Sequence, residues 1–72
     1  MIIKIENWPD GFKLISFAKL QMDVLGIGLK EAKDNADRLM KGETIYFDIS
    51  DLKIANDFIF KAAALDVVCL TA

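Results

Sequence analysis

"GIGLKEAKD", residues 26–34, is the stretch on which the reading of this chain turns. Two glycines bracket an isoleucine and a lysine follows close behind, which raises the question of a phosphate cradle. A dinucleotide fingerprint needs a third glycine three residues on and a strand just before it. Here the third position is Glu31, and the preceding segment has a helical pattern. A P-loop needs Gly-Lys-Ser/Thr, whereas Lys30 stands between Leu29 and Glu31. Glu31 and Asp34 would also repel a phosphate from that helix N-terminus. The stretch reads instead as the corner between two helices. Gly26 takes the left-handed conformation that ends the first helix. Gly28 permits close approach at the start of the second, and Ile27 points into the core.

On one side of the corner, residues 11–25 fit a helix better than a strand. Ile15, Leu14, Phe17, Ala18, Met22, Val24 and Leu25 cover about half its circumference at 100° per residue. Lys13, Ser16, Lys19 and Asp23 occupy the opposite arc. Phe12 and Leu20 fall among the polar positions, and Gln21 falls among the apolar ones. On the other side, residues 29–40 form a cleaner amphipathic helix with a stripe of Leu29, Ala32, Ala36, Leu39 and Met40. Its outer face offers the (i, i+4) pairs Lys30–Asp34, Lys33–Asp37, Asp34–Arg38 and Asp37–Lys41, each worth about 0.2–0.5 kcal/mol. Gly42 supplies the C-terminal stop.

Strands flank this hairpin. "MIIKIENW", residues 1–8, sets Ile3 and Ile5 on one face against Ile2, Lys4, Glu6 and Trp8, and "NWPDG" ends it with turn chemistry. "ETIYFDI", residues 43–49, sets Ile45, Phe47 and Ile49 against Thr44, Tyr46 and Asp48. Ser50 or Asp51 then caps a third helix running to about Leu65, with Ile54, Ala55, Phe58, Ala62 and Leu65 as its core stripe. Phe60 lands in that helix's polar arc. "VVCLT", residues 67–71, reads as a last strand. The order is β-α-α-β-α-β. A right-handed crossover from the second to the third strand leaves room for the first between them. The expected fold is therefore α+β, a three-stranded antiparallel sheet covered on one face by three helices in two layers.

Composition limits the function classes. A chain of 72 residues is one domain, 1–72, and buries only about 60% of the surface it exposes when unfolded. Yet 54% of it is hydrophobic, a surplus met either by dense two-layer packing or by a covered surface. The net charge of −2 argues against general binding to nucleic-acid phosphates. Residues 13–41 nonetheless hold six of the nine basic side chains and four acids, a mildly basic segment on an acidic domain. No apolar run approaches the roughly 20 residues of a membrane span. The N-terminus lacks the build of a secretory signal, and the single Cys69 excludes an internal disulfide. The expected location is the cytoplasm.

Catalysis has little to work with. There is no histidine, the usual general base near neutral pH. Cys69 lies in a strand pattern with no histidine to activate it and reads as a packed small hydrophobe. No zinc or other soft-metal set is present, and no cofactor is implied. The chain reads as no enzyme.

The segment "GIGLKEAKDNADRL", residues 26–39, resembles the glycine-leucine-glycine-leucine-lysine-glutamate-alanine-lysine-aspartate signature of the bacterial ribosomal stalk protein's C-terminal domain. The flanking elements also follow that domain in order and length, so the resemblance covers the whole chain, diffusely outside the corner. It implies a non-enzymatic docking module that recruits translational GTPases through the helix before the corner and the start of the helix after it. Carried over residue by residue, the contact surface is Ile15, Ala18, Lys19, Met22 and Lys33. Lys19 and Lys33 keep the family's lysines, Met22 replaces an arginine, and Gln21 stands where an apolar core residue is expected. The stalk protein carries a dimerisation segment and a hinge before this domain. This sequence starts on the first strand, so a stand-alone domain is expected. The strand–helix–helix–strand layout is also that of the Clp-protease adaptor family. Only Asn7 and Asp10 of "ENWPD" suggest that family's acidic stretch, and its pocket histidine is missing.

Two readings follow. In one, the hairpin docks a protein partner of the translational GTPase type, with Lys19 and Lys33 steering and Ile15, Ala18 and Met22 supplying apolar contact. The plain alternative for these five is core packing and solvated lysines. In the other, the chain is a self-associating homodimer that hides Phe12, Leu20 and Phe60.

Overall fold

The structure is a computed structural model and describes residues 1–6 and 14–71. Along the chain run β1 (Ile2–Ile5), α1 (Leu14–Leu25), α2 (Leu29–Met40), β2 (Ile45–Asp48), α3 (Leu52–Ala63) and β3 (Leu70–Thr71). This is the expected β-α-α-β-α-β order. β2 and β3 are shorter than their sequence patterns; Val67 stands outside β3 with its N–H donating to the Ala62 carbonyl at the close of α3. The turn at "NWPDG" and the start of the first helix lie outside the described residues, as do Phe12, Asn7 and Asp10.

The sheet order is β2-β1-β3. Both pairings are antiparallel: Ile3 lies opposite Phe47 and Thr71, and Lys4 opposite Tyr46 and Leu70. With a side-chain period of two, Ile3, Ile5, Ile45 and Phe47 turn to the helices and are buried. Ile2, Lys4, Tyr46 and Asp48 turn to the open face. There the Lys4 ammonium meets the Glu6 carboxylate at 2.8 Å, a hydrogen bond that raises the lysine pKa.

Three aromatic rings join the layers. Phe58 of α3 meets Phe47 of β2 edge-on at 5.2 Å and Phe17 of α1 at 6.4 Å, in the offset geometries that ring quadrupoles favour. Around them pack Ile3, Ile5, Leu39, Ile45 and Val67. Ala32 and Ala36 present no bulk on the buried face of α2, and Ala55 and Ala62 do the same on α3.

The helices depart from the expected faces in an informative way. α1 packs against both α2 and α3, so its buried arc is set by two neighbours. That arc is Phe17, Ala18, Leu20 and Gln21. Leu20, expected on a polar surface, is 8% exposed and belongs to the core. Its expected part in self-association is thereby corrected. Leu29 and Met40 were expected in the stripe of α2, and Ile54 in that of α3, yet all three are exposed. Leu29 and Met40 stand at the two ends of α2, beyond the reach of the helix packed on it.

The helix ends follow local chemistry. The Asp51 carboxylate accepts from the backbone N–H groups of Lys53 at 2.9 Å and Ile54 at 3.3 Å, which settles the cap of α3 in favour of Asp51. α2 and α3 end on the same motif. At α2, Glu43 N–H donates to the Arg38 carbonyl at 3.0 Å, with Gly42 at φ 86°. At α3, Val67 N–H donates to the Ala62 carbonyl at 3.0 Å, with Asp66 at φ 63°. Asp66 thus holds a left-handed conformation that glycine adopts without strain. Asp66→Gly is expected to raise the unfolding free energy by about 1 kcal/mol. Gly42→Asp is expected to lower it by a similar amount, both read from urea midpoints.

Candidate functional site

The candidate site is the outer face of the helical hairpin, and its geometry begins at the corner. Gly26 has φ 70°, and its N–H donates to the Met22 carbonyl at 3.1 Å, closing α1. Ile27 is partly buried against the core. Gly28 has φ −73° and ψ 162° at the N-cap of α2, an extended conformation open to any residue. A side-chain carbon added there would meet nothing within 4 Å. The expected close approach at Gly28 is therefore not made.

Beyond the corner, one side chain locks the two helices. Gln21 is wholly buried and is the one buried polar side chain among the described residues. Its amide nitrogen donates to the Ala32 carbonyl at 3.0 Å, and its oxygen accepts from the Asn35 amide at 3.0 Å. A longer contact reaches the Phe17 carbonyl at 3.4 Å. Gln21 thus lies on the core arc with its buried amide satisfied, a latch between the two helices.

With α1 turned toward α2 and α3, part of its apolar arc is left outside. Ile15 is 80% exposed and Met22 36% exposed, while Ala18 is 4% exposed. Ile15, Ala18, Lys19 and Met22 recur at i, i+3, i+4 and i+7, the spacing of one helix face. Across from them, Leu29 and Lys33 recur at i and i+4 on α2. These residues and Leu14 line one cleft of about 120 Å³. All five positions implied by the resemblance lie on it. Leu29 and Leu14, which also packs against the core, complete it.

The cleft wall is almost wholly apolar, and its charged groups are Lys19 and Lys33. The (i, i+4) ion pairs expected along α2 are not formed. Among the described residues the ion pairs are Lys4–Glu6, Arg38–Glu43 at 3.5 Å and Lys61–Asp57 at 3.1 Å. Pairs worth a few tenths of a kcal/mol are not bound to form on a solvated surface; of the (i, i+4) type, Lys61–Asp57 on α3 forms and those on α2 do not. Lys33 therefore keeps its charge unpaired beside the apolar wall.

Other chemistry is sparse among the described residues. No group of three or more His, Cys, Asp or Glu side chains is placed to hold a metal ion. Cys69 is half-buried, and burial pushes its thiol up to about 11, so the thiol form prevails near neutral pH. Phe60 is 77% exposed on α3, as its place in the polar arc implied. No helix is long and apolar enough to cross a membrane.

The latch is open to test. Gln21→Ala is expected to lower the unfolding free energy by about 3 kcal/mol, through lost packing and lost hydrogen bonds. Gln21→Leu, closer in volume, is expected to cost about half of that, both from urea denaturation. Compared with known proteins, the chain matches no family model, no curated protein and no solved structure.

Proposed function

We propose that this domain is a non-enzymatic protein-docking module that engages its partner through the cleft of the helical hairpin. The observation that carries this reading is the meeting of two independent lines on the same residues. The resemblance at residues 26–39 implies Ile15, Ala18, Lys19, Met22 and Lys33 as contacts, and these five side chains line one apolar cleft. The partner this chemistry suits inserts an apolar side chain between the helices and carries carboxylates to meet Lys19 and Lys33. A translational GTPase of the kind bound by the ribosomal stalk has that role in the resembling family. Rim lysines raise the association rate and disfavour basic partners, while the apolar wall supplies contact energy.

The test is a titration of the chain with a purified bacterial translational GTPase. Lys19→Glu/Lys33→Glu is expected to weaken binding about a hundredfold, since each lost and reversed charge contact is worth on the order of 1–2 kcal/mol. Ile15→Asp should do the same through the apolar wall. Met22→Arg restores the arginine of the resembling family and should tighten binding about threefold to tenfold. Unchanged affinity in the double-charge variant would refute the docking reading.

Phe60 favours a second reading, self-association through the outer face of α3. An aromatic ring with most of its surface in water gains from being covered. Sedimentation equilibrium at about 100 μM is expected to show a dimer that Phe60→Ser dissociates, since such an anchor carries much of a small interface. A strict monomer at that concentration removes this reading and leaves the hairpin cleft untouched.

A further inference from the structure

β2 is an edge strand of the sheet, paired with β1 on one side. Met1 and Ile49 exchange both of their main-chain hydrogen bonds, each at 2.9 Å. From that pair the antiparallel alternation fixes the rest. Ile45 and Phe47, opposite Ile5 and Ile3, point their N–H and C=O groups at β1. Tyr46 and Asp48 therefore point theirs outward, away from the sheet. Since β2 is an edge strand, these groups form half of a ladder that no described residue fills.

A depression of about 390 Å³ runs along this edge. It is lined by consecutive residues 46–51, from both faces of the strand, which only the strand's edge can present together. Its helix-side wall is apolar: Val24 and Leu25 at the end of α1, Ile27 in the corner and Ile54 in α3. Its charged groups are all carboxylates, Glu31, Asp48 and Asp51, with no lysine or arginine among the lining residues. It shares no residue with the hairpin cleft.

We infer that this groove takes an extended, basic peptide segment that adds to β2 as a fourth strand. The alternation of a strand sets the segment's pattern. Side chains directed to the helices meet Val24, Leu25, Ile27 and Ile54 and are aliphatic. Side chains directed to the open face lie beside Tyr46 and Asp48 and are lysine or arginine, forming cross-strand pairs of opposite charge. A second copy of this chain does not suit the edge. Pairing β2 with its own copy brings two sets of Glu31, Asp48 and Asp51 together, and like charges across strands repel. The acidic rim thus blocks self-pairing and selects a cationic strand.

The probe is a blocked peptide of about seven residues that alternates Arg or Lys with Val or Ile, titrated into the ¹⁵N-labelled chain. The largest amide shifts are expected at Tyr46 and Asp48. Methylating the peptide's backbone nitrogens at alternate positions, which removes its ladder donors, should weaken binding about tenfold or more. Glu31→Lys/Asp48→Lys should do likewise, with the remaining amide spectrum unchanged. The inference is overturned if the methylated peptide binds equally well, since charge alone would then suffice. It is equally overturned by shifts centred on Lys19 and Lys33, or by no binding up to about 1 mM. Concentration-dependent shifts at Tyr46 and Asp48 without peptide would assign the edge to a second copy. Because the hairpin cleft shares no residue with the groove, neither result bears on docking there.

Discussion

The hydrogen bonds of Gln21 are the constraint on which this fold's exterior depends. A buried amide is costly unless its donors and acceptors are met. Gln21 is satisfied only when α1 lies against α2 with Ala32 and Asn35 opposite it. Apolar packing alone tolerates small slides between helices, but directional bonds do not. Ala32 and Ala36 allow the approach that the latch needs, and Gly26 allows the chain to turn back in time. Once Gln21 and Leu20 face inward, Ile15 and Met22 must face out, because all four share one rigid helix. The apolar cleft of the hairpin is thus a consequence of how its core is closed.

The two grooves divide the charge of the chain between them. The hairpin cleft carries Lys19 and Lys33 and no carboxylate, while the β2 groove carries Glu31, Asp48 and Asp51 and no cation. α2 contributes to both, since Lys33 and Glu31 leave the helix on different sides. The small net charge of −2 therefore hides two local fields of opposite sign. Each groove has an apolar wall beside its charges, where a partner's charge is partly removed from water and the attraction is less screened. Part of the chain's exposed apolar surface stands in these grooves, as Ile15, Met22, Leu29, Tyr46 and Ile54.

Much of this architecture is legible before any coordinates. The period-two runs around Ile3, Ile5, Ile45 and Phe47 assign the strands and their inner faces. The two glycine-marked ends and the 3.6-residue stripe give α2 its bounds, Leu29–Met40. Crossover handedness puts β1 in the centre of the sheet. The contact residues proposed for the hairpin come from the resemblance at residues 26–39, and from nothing in composition or charge. Less legible is which way α1 is turned. Its apolar residues cover half the circumference, and such a broad arc is compatible with several rotations. The β2 groove is hidden further still, because Val24, Ile27 and Glu31 of the hairpin meet Asp48, Asp51 and Ile54 only through the fold.

The sequence by itself determines element type, order and inner faces, because these depend on interactions within a few residues: backbone ladders, caps such as Asp51, and the periodicity of burial. Only the tertiary structure decides which apolar residues remain outside. Leu20 is drawn into the core and Leu29 left out of it by the positions of neighbouring helices, and Gly28 is free of contact for the same reason. The ion pairs foreseen along α2 are not formed while Lys61–Asp57 on α3 is, because a contribution of a few tenths of a kcal/mol does not decide the geometry of flexible side chains. Burial at a helix surface is a property of what packs against it, and that is settled between elements, not within them.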